Sequence, residues 1–247
     1  MSAPRVRWRS RSLIFALLLA SVTARAQTPT ALAGMQAYNR GDLATAYRML
    51  RAAADAGDPE GQVNLGYLYA RGQGVAPDQR EALRLYRLSA DQGDGEGMNA
   101  LGYKFQFATG VPRDIGLAVE WYCRAVSFGN PRAMNNLANM LVDGRDLPRD
   151  IDEAPSLWQQ AAELGHVNAM FNLGMSYLNG PTAERDTTRG TDWLWRAAQR
   201  GQSAAQAIWR QNGYTGPLPP PINEAALMIP SPKRAAGRTS VCAAPIS

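Results

Sequence analysis

Few residues in this chain have side chains suited to covalent or acid–base chemistry. His166 is the one imidazole among 247 residues, and Cys123 and Cys242 are the two thiols. A general base needs a nucleophile held beside it, and no serine or cysteine is tied to His166 by a fixed spacing. The S-x-x-K, H-E-x-x-H and G-x-S-x-G patterns are absent. One histidine and two scattered cysteines cannot complete a four-ligand zinc shell. The sequence therefore assigns no catalytic residue, no metal and no cofactor, and it does not point to an enzyme. An oxidising compartment would permit Cys123 and Cys242 to pair, but spacing alone does not fix their geometry.

The elements that carry these residues are set by a repeat. Stepping by 36 gives Asp42, Asp78, Asp114, Asp150 and Asp186, then Gly57, Gly93, Gly129, Gly165 and Gly201. A third series is Leu65, Leu101, Leu137 and Leu173, each followed by Gly66, Gly102, Ala138 or Gly174. Such self-similarity marks a helical array whose neighbours must stack to bury a core. The aspartates are placed to cap the second helix of each unit, and the glycines to end it in the left-handed region. The small residue after each leucine lets the two helices approach. Tyr69, Phe105, Leu141 and Tyr177, with Tyr86, Tyr122 and Trp158, read as packing between helices at the helical period. His166 falls in a slot between helices that Asp58, Asp94, Asn130 and Gln202 fill elsewhere. It reads as a turn residue.

Residues 31–60 form a half-matching repeat; 61–96, 97–132, 133–168 and 169–204 are full ones, and 205–214 is a capping helix. Residues 27–215 thus make the expected solenoid. Residues 1–26 combine a cationic start, a short apolar run from Leu13 to Ala20 and Ala24-Arg25-Ala26, the pattern of a cleavable signal peptide without a lipobox. The apolar run is too short for a membrane anchor. Five of the 26 basic residues and none of the 21 acidic ones lie there, so the formal +5 belongs to the leader and the remainder is balanced. No nucleic-acid or anionic-membrane partner is implied. Residues 216–247 are rich in proline and read as a disordered tail with at most one short element near Ala225 to Ile229. The expected product is a monomer, periplasmic or secreted in a bacterium.

Asn64-Leu65-Gly66-Tyr67-Leu68-Tyr69, followed by Gly72-Gln73-Gly74-Val75-Ala76-Pro77-Asp78, resembles the Sel-one-like repeat (SLR), a relative of the tetratricopeptide repeat. The resemblance runs from residue 31 to about 212. The fourth copy departs from it, since 180–186 lacks the second glycine and the valine of the loop. The resemblance implies an all-α, right-handed superhelical solenoid of antiparallel helix pairs with a concave groove for a protein or peptide. By that analogy Val63, Asn99, Asn135 and Phe171, Asn64, Asn136 and Asn172, and Tyr67, Tyr103, Asn139 and Met175 line the groove. Asparagine amides donate to and accept from a peptide backbone; the same amides would also serve as solvated or inter-helix groups. The leading expectation is an exported scaffold, adaptor or regulator. A β-lactam- or peptidoglycan-directed enzyme, suggested for cysteine-rich relatives, and a structural envelope component are the alternatives.

Overall fold

The computed structural model describes residues 30–180, 185–211 and 240–243. The expected leader and most of the Pro-rich tail, including the element near Ala225, lie outside the described residues. Twelve helices and no strand occur among the described residues: α1 (Ala31–Asn39), α2 (Leu43–Asp55), α3 (Pro59–Arg71), α4 (Gln79–Asp91), α5 (Gly95–Gln106), α6 (Ile115–Ser127), α7 (Pro131–Asp143), α8 (Ala154–Glu163), α9 (Val167–Asn179), α10 (Thr187–Gln199), α11 (Ser203–Gln211) and α12 (Ser240–Ala243). None of these helices is long and apolar enough to cross a membrane. Odd and even helices pair in sequence, and each pair packs on the next. The odd-numbered helices also touch one another, α1 to α3, α3 to α5 and α5 to α7. Close approach within that row places it on the inner side of the stack.

Capping explains why the elements start where they do. The carboxylates of Asp42, Asp78, Asp114 and Asp186 accept backbone N–H groups of the first turn at 2.9 to 3.0 Å. Asp78, Asp114, Asp150 and Asp186 also donate their own N–H to the carbonyls of Tyr69, Phe105, Leu141 and Tyr177, closing the loop within each pair. Asp150 departs from the expected capping role. Its Oδ1 holds a turn, accepting from Asp152 and Glu153, and α8 begins only at Ala154. Pro155 is the cause, because it has no N–H to give Ile151 and so cannot join a helix started at 151.

The second glycine series behaves as read. Gly57, Gly93, Gly129, Gly165 and Gly201 have φ between 76° and 90°. The next residue then donates its N–H to a carbonyl five positions back, at 2.9 to 3.2 Å for Asp58, Asp94, Asn130, His166 and Gln202, the closure of a Schellman turn. In the longer loops Gly72 and Gly144 are left-handed, but Ala108 takes the same slot at φ 54°. In the fourth copy Gly180 is extended instead, at φ −62° and ψ 170°.

The small-residue series makes room for a ring. A Cβ on Gly66 would lie 2.6 Å from Tyr86, one on Gly102 2.6 Å from Tyr122, and one on Gly174 2.9 Å from Leu194. Tyr86 and Tyr122 are in consequence wholly buried. The Tyr122 hydroxyl donates to Gln106 at 2.8 Å, and burial pushes both phenols far above their ordinary range. One covalent tie crosses the stack: Cys123 on α6 is disulfide-bonded to Cys242 on α12, with Cα atoms 5.4 Å apart. Val241 and Cys242 pack against the core there.

Candidate functional site

The face formed by α3, α5, α7 and α9 carries all eleven expected groove residues, but they divide into three groups. Val63, Asn99 and Asn135 do not line a groove: they are 3%, 6% and 6% exposed. The reason is the contact between adjacent odd helices, which runs along that column. Asn136 donates to the Asn99 Oδ1 at 3.0 Å, and Asn172 donates to the Asn135 Oδ1 at 3.0 Å. These amides join α5 to α7 and α7 to α9, and each satisfies a group whose burial unpaired would cost about 1–3 kcal/mol. At the ends of the row the same slots hold Val63 with Ala100 and Phe171 with Ile208.

A second group is half-buried. Asn64, Asn136, Phe171, Asn172 and Met175 are partly covered, as is Tyr67. The Tyr67 ring meets Tyr86 edge-on at 5.5 Å between centroids. Burial first, and the Glu96 carboxylate second, push the Tyr67 phenol up from its ordinary value. Glu96 in turn reaches Arg132 at 3.4 Å.

Of the eleven, only Tyr103 and Asn139 are exposed. Tyr103 is 49% exposed and stacks on Phe107, itself 53% exposed, with ring centroids 4.6 Å apart. Sequence reasoning missed Phe107, which ends α5 one turn beyond Tyr103. A cavity of about 460 Å³ lies beside it, lined by Gln106, Arg113, Asn139, Asp143 and Arg145 among others. Arg113 is paired with Asp146 there, and Arg145 with Asp143 at 2.5 Å. A larger cavity of about 780 Å³ opens between the ends of α7, α9 and α10 and includes Trp158, Asn172 and Met175. Asn139, in the wall of the smaller cavity, bonds to two residues of the larger one: its Oδ1 accepts from Asn172 at 3.1 Å and from the Trp158 indole at 3.1 Å. Amide, aromatic and thioether groups thus line the two hollows along this face. It is suited to a peptide chain, which offers backbone partners for amides and side chains for the hollows.

Two ionisable groups outside the groove need a reading. Lys104 is buried, 5% exposed, and donates to Gln79, with its ammonium 5.9 Å from the Tyr86 ring. Burial holds its pKa below the ordinary value. The period contained the signal, because its counterparts Leu68 and Met140 are core residues. His166 is the N-cap of α9, where its Nδ1 accepts the Ala169 N–H at 3.2 Å. That bond requires the neutral ring. Burial first, and the Arg132 charge second, lower its pKa from 6.5. Folding thus excludes a proton that the unfolded chain accepts. The stability from this cap is full above pH 6.5, the unfolded value, and is lost as pH falls through the lower folded value. His166→Asn, which copies Asn130, is expected to leave stability at pH 7.5 within about 0.5 kcal/mol and to flatten the loss on acidification. Urea unfolding from pH 7.5 to 5.5 checks this; an unchanged pH profile would remove His166 as its source.

Among the described residues no group of three or more His, Cys, Asp or Glu converges to hold a metal ion. Stacked helix pairs with a polar–aromatic inner face define an α/α repeat protein. The Sel1 repeat model matches residues 32–58, 59–94, 95–127, 131–166 and 167–202, more than half of the chain, and the chain belongs to that family. Its solved relatives share the fold. A protective antigen of uropathogenic Escherichia coli displaying an SLR fold is 28% identical with a TM-score of 0.58, over 77% of this chain and 42% of that one. This chain therefore spans less than half the length of that relative. A Sel1 repeat protein from Oxalobacter formigenes is 26% identical with a TM-score of 0.60, over 80% of this chain and 78% of that one. An immunity protein from Pseudomonas aeruginosa, at 21% identity and a TM-score of 0.55 over 74% of this chain and 70% of that one, is alike in fold. No curated protein matches the chain. Family membership supports a protein-interaction scaffold in general terms.

Proposed function

We propose that this chain is an exported scaffold that holds a protein or peptide segment along the face formed by α3, α5, α7 and α9. The observation that carries the reading is the exposed Tyr103–Phe107 pair beside the smaller cavity, whose Asn139 is hydrogen-bonded to Trp158 and Asn172 of the larger one. Two adjoining aromatic side chains half open to water are costly to leave uncovered, and aromatic anchors at the edge of hollows are where binding energy concentrates. Asn139 has its carbonyl occupied by Asn172 and Trp158, and among the described residues its amide nitrogen has no partner, which leaves it to meet a peptide carbonyl. The disulfide between Cys123 and Cys242 supports an oxidising location such as the periplasm, where such bonds persist. The balanced charge of the chain beyond residue 26 supports a protein over a nucleic acid as the ligand.

Asn136 and Asn172 are structural members of the amide ladder, so they are poor probes of binding. Tyr103→Ala combined with Phe107→Ala removes the exposed pair and leaves every core residue in place. Affinity capture from envelope extracts is expected to recover a discrete partner with the wild-type chain and to lose at least nine-tenths of it with the double variant. Undiminished recovery with the variant would sink the groove reading.

A further inference from the structure

The two cavities differ in how their charges are matched. In the smaller one every arginine has a carboxylate: Arg113 with Asp146, and Arg145 with Asp143. The larger one is lined by Arg149, Arg185 and Arg189 against Asp152 and Asp186. Asp186 is committed, since it caps α10 and pairs with Arg189 at 3.2 Å. Among the described residues no carboxylate pairs with Arg149 or Arg185, both of which are exposed. The same hollow has a strongly apolar side made of Val142, Trp158, Met175 and Tyr177. Guanidinium groups present a fork that fits a carboxylate in two-point contact.

We propose that this larger cavity docks an acidic segment of a peptide, with a carboxylate held at Arg149 and Arg185 and a neighbouring apolar side chain against Trp158 and Met175. The delayed start of α8 is what opens the place. Because Pro155 stops the helix from beginning at Ile151, the turn of Ile151 and Asp152 forms part of the wall with Pro155. The position is specific to this repeat, since the other long loops lead directly into a capped helix. Asn172 places the hollow beside the amide ladder, so that an extended chain passing Asn139 reaches it. The assignment rests on the groove reading for the peptide nature of the ligand, and adds to it the sign of its charge and the end of the solenoid where it binds.

The test uses the full chain beyond residue 26 and a dye-labelled hexapeptide alternating aspartate and leucine, read by fluorescence anisotropy. Saturable binding is expected, at least tenfold weaker with Arg149→Glu plus Arg185→Glu and weakened separately by Met175→Ala. The counterpart with lysine for aspartate should not bind. Both arginines are exposed, so circular dichroism of the variant should match the parent. Equal binding by the arginine variant, binding of the lysine peptide, or full displacement by an equal concentration of inorganic phosphate overturns the proposal. Capture that still depends on Tyr103 and Phe107 when the aspartate peptide fails to bind would overturn the pocket assignment alone and leave the groove reading standing.

Discussion

Tyr122→Ala is expected to lower the unfolding free energy by about 3–5 kcal/mol, the range for deleting a buried aromatic ring. The ring is wholly enclosed in the middle of the stack, and Gly102 leaves no flexible side chain to collapse into the void. The hydroxyl contributes separately: Tyr122→Phe removes its bond to Gln106 and should cost about 1 kcal/mol. Gly102→Ala approaches the same contact from the other side, since a Cβ would sit 2.6 Å from the ring. Overpacking of that kind costs about 1–3 kcal/mol. The two changes should not add, because the methyl added at position 102 fits once the ring is gone. Urea unfolding of the three single variants and the Gly102→Ala, Tyr122→Ala pair checks this. A pair that equals the sum of its members would mean that Gly102 is not there to admit the ring. Because such arrays are held by nearest-neighbour interfaces, a central lesion should also broaden the transition.

Breaking the Cys123–Cys242 bond is expected to cost up to about 5 kcal/mol. The two residues are 119 apart in sequence, and closing a loop of roughly 100 residues restricts the unfolded chain by about 4.7 kcal/mol in the chain-entropy account. The loop contains α7 to α11 whole, so the helix pairs on the C-terminal side of α6 gain most. Cys242→Ser and treatment of the parent with a reductant should lower the urea midpoint equally, and reductant should do nothing further to the variant. A midpoint unmoved by either treatment would show that α12 is not fastened to α6 in solution. The effect also bears on compartment: a chain that relies on this bond is at a disadvantage in a reducing cytosol.

The helical array was legible because its signals are local and repeated. Asp114 must cap and Gly129 must turn whatever the rest of the chain does. The groove was half legible. Period placed Asn99, Asn135, Asn139 and Tyr103 on one side of their helices, but it could not say how far adjacent odd helices approach. That approach buries Asn99 and Asn135 and turns them into a ladder. One sign was present: the column that holds these amides holds Val63 at one end and Phe171 at the other, as suits a column pressed against a neighbour. Phe107 escaped notice because its counterpart slots are not aromatic, and its exposure depends on where α5 ends. The larger cavity depends on loop geometry, namely the turn that Pro155 forces and the extended Gly180, two places where the loops depart from the period.

The central claim is that the face of odd helices, not the outer surface, meets a partner. The direct measurement places a photo-crosslinking amino acid at position 103, 175 or 128 in the cell, position 128 being another exposed aromatic site, away from the groove. The account predicts one discrete crosslinked protein shared by positions 103 and 175 and absent from 128. A product at 128 with none at 103, or a diffuse set common to all three, would contradict it.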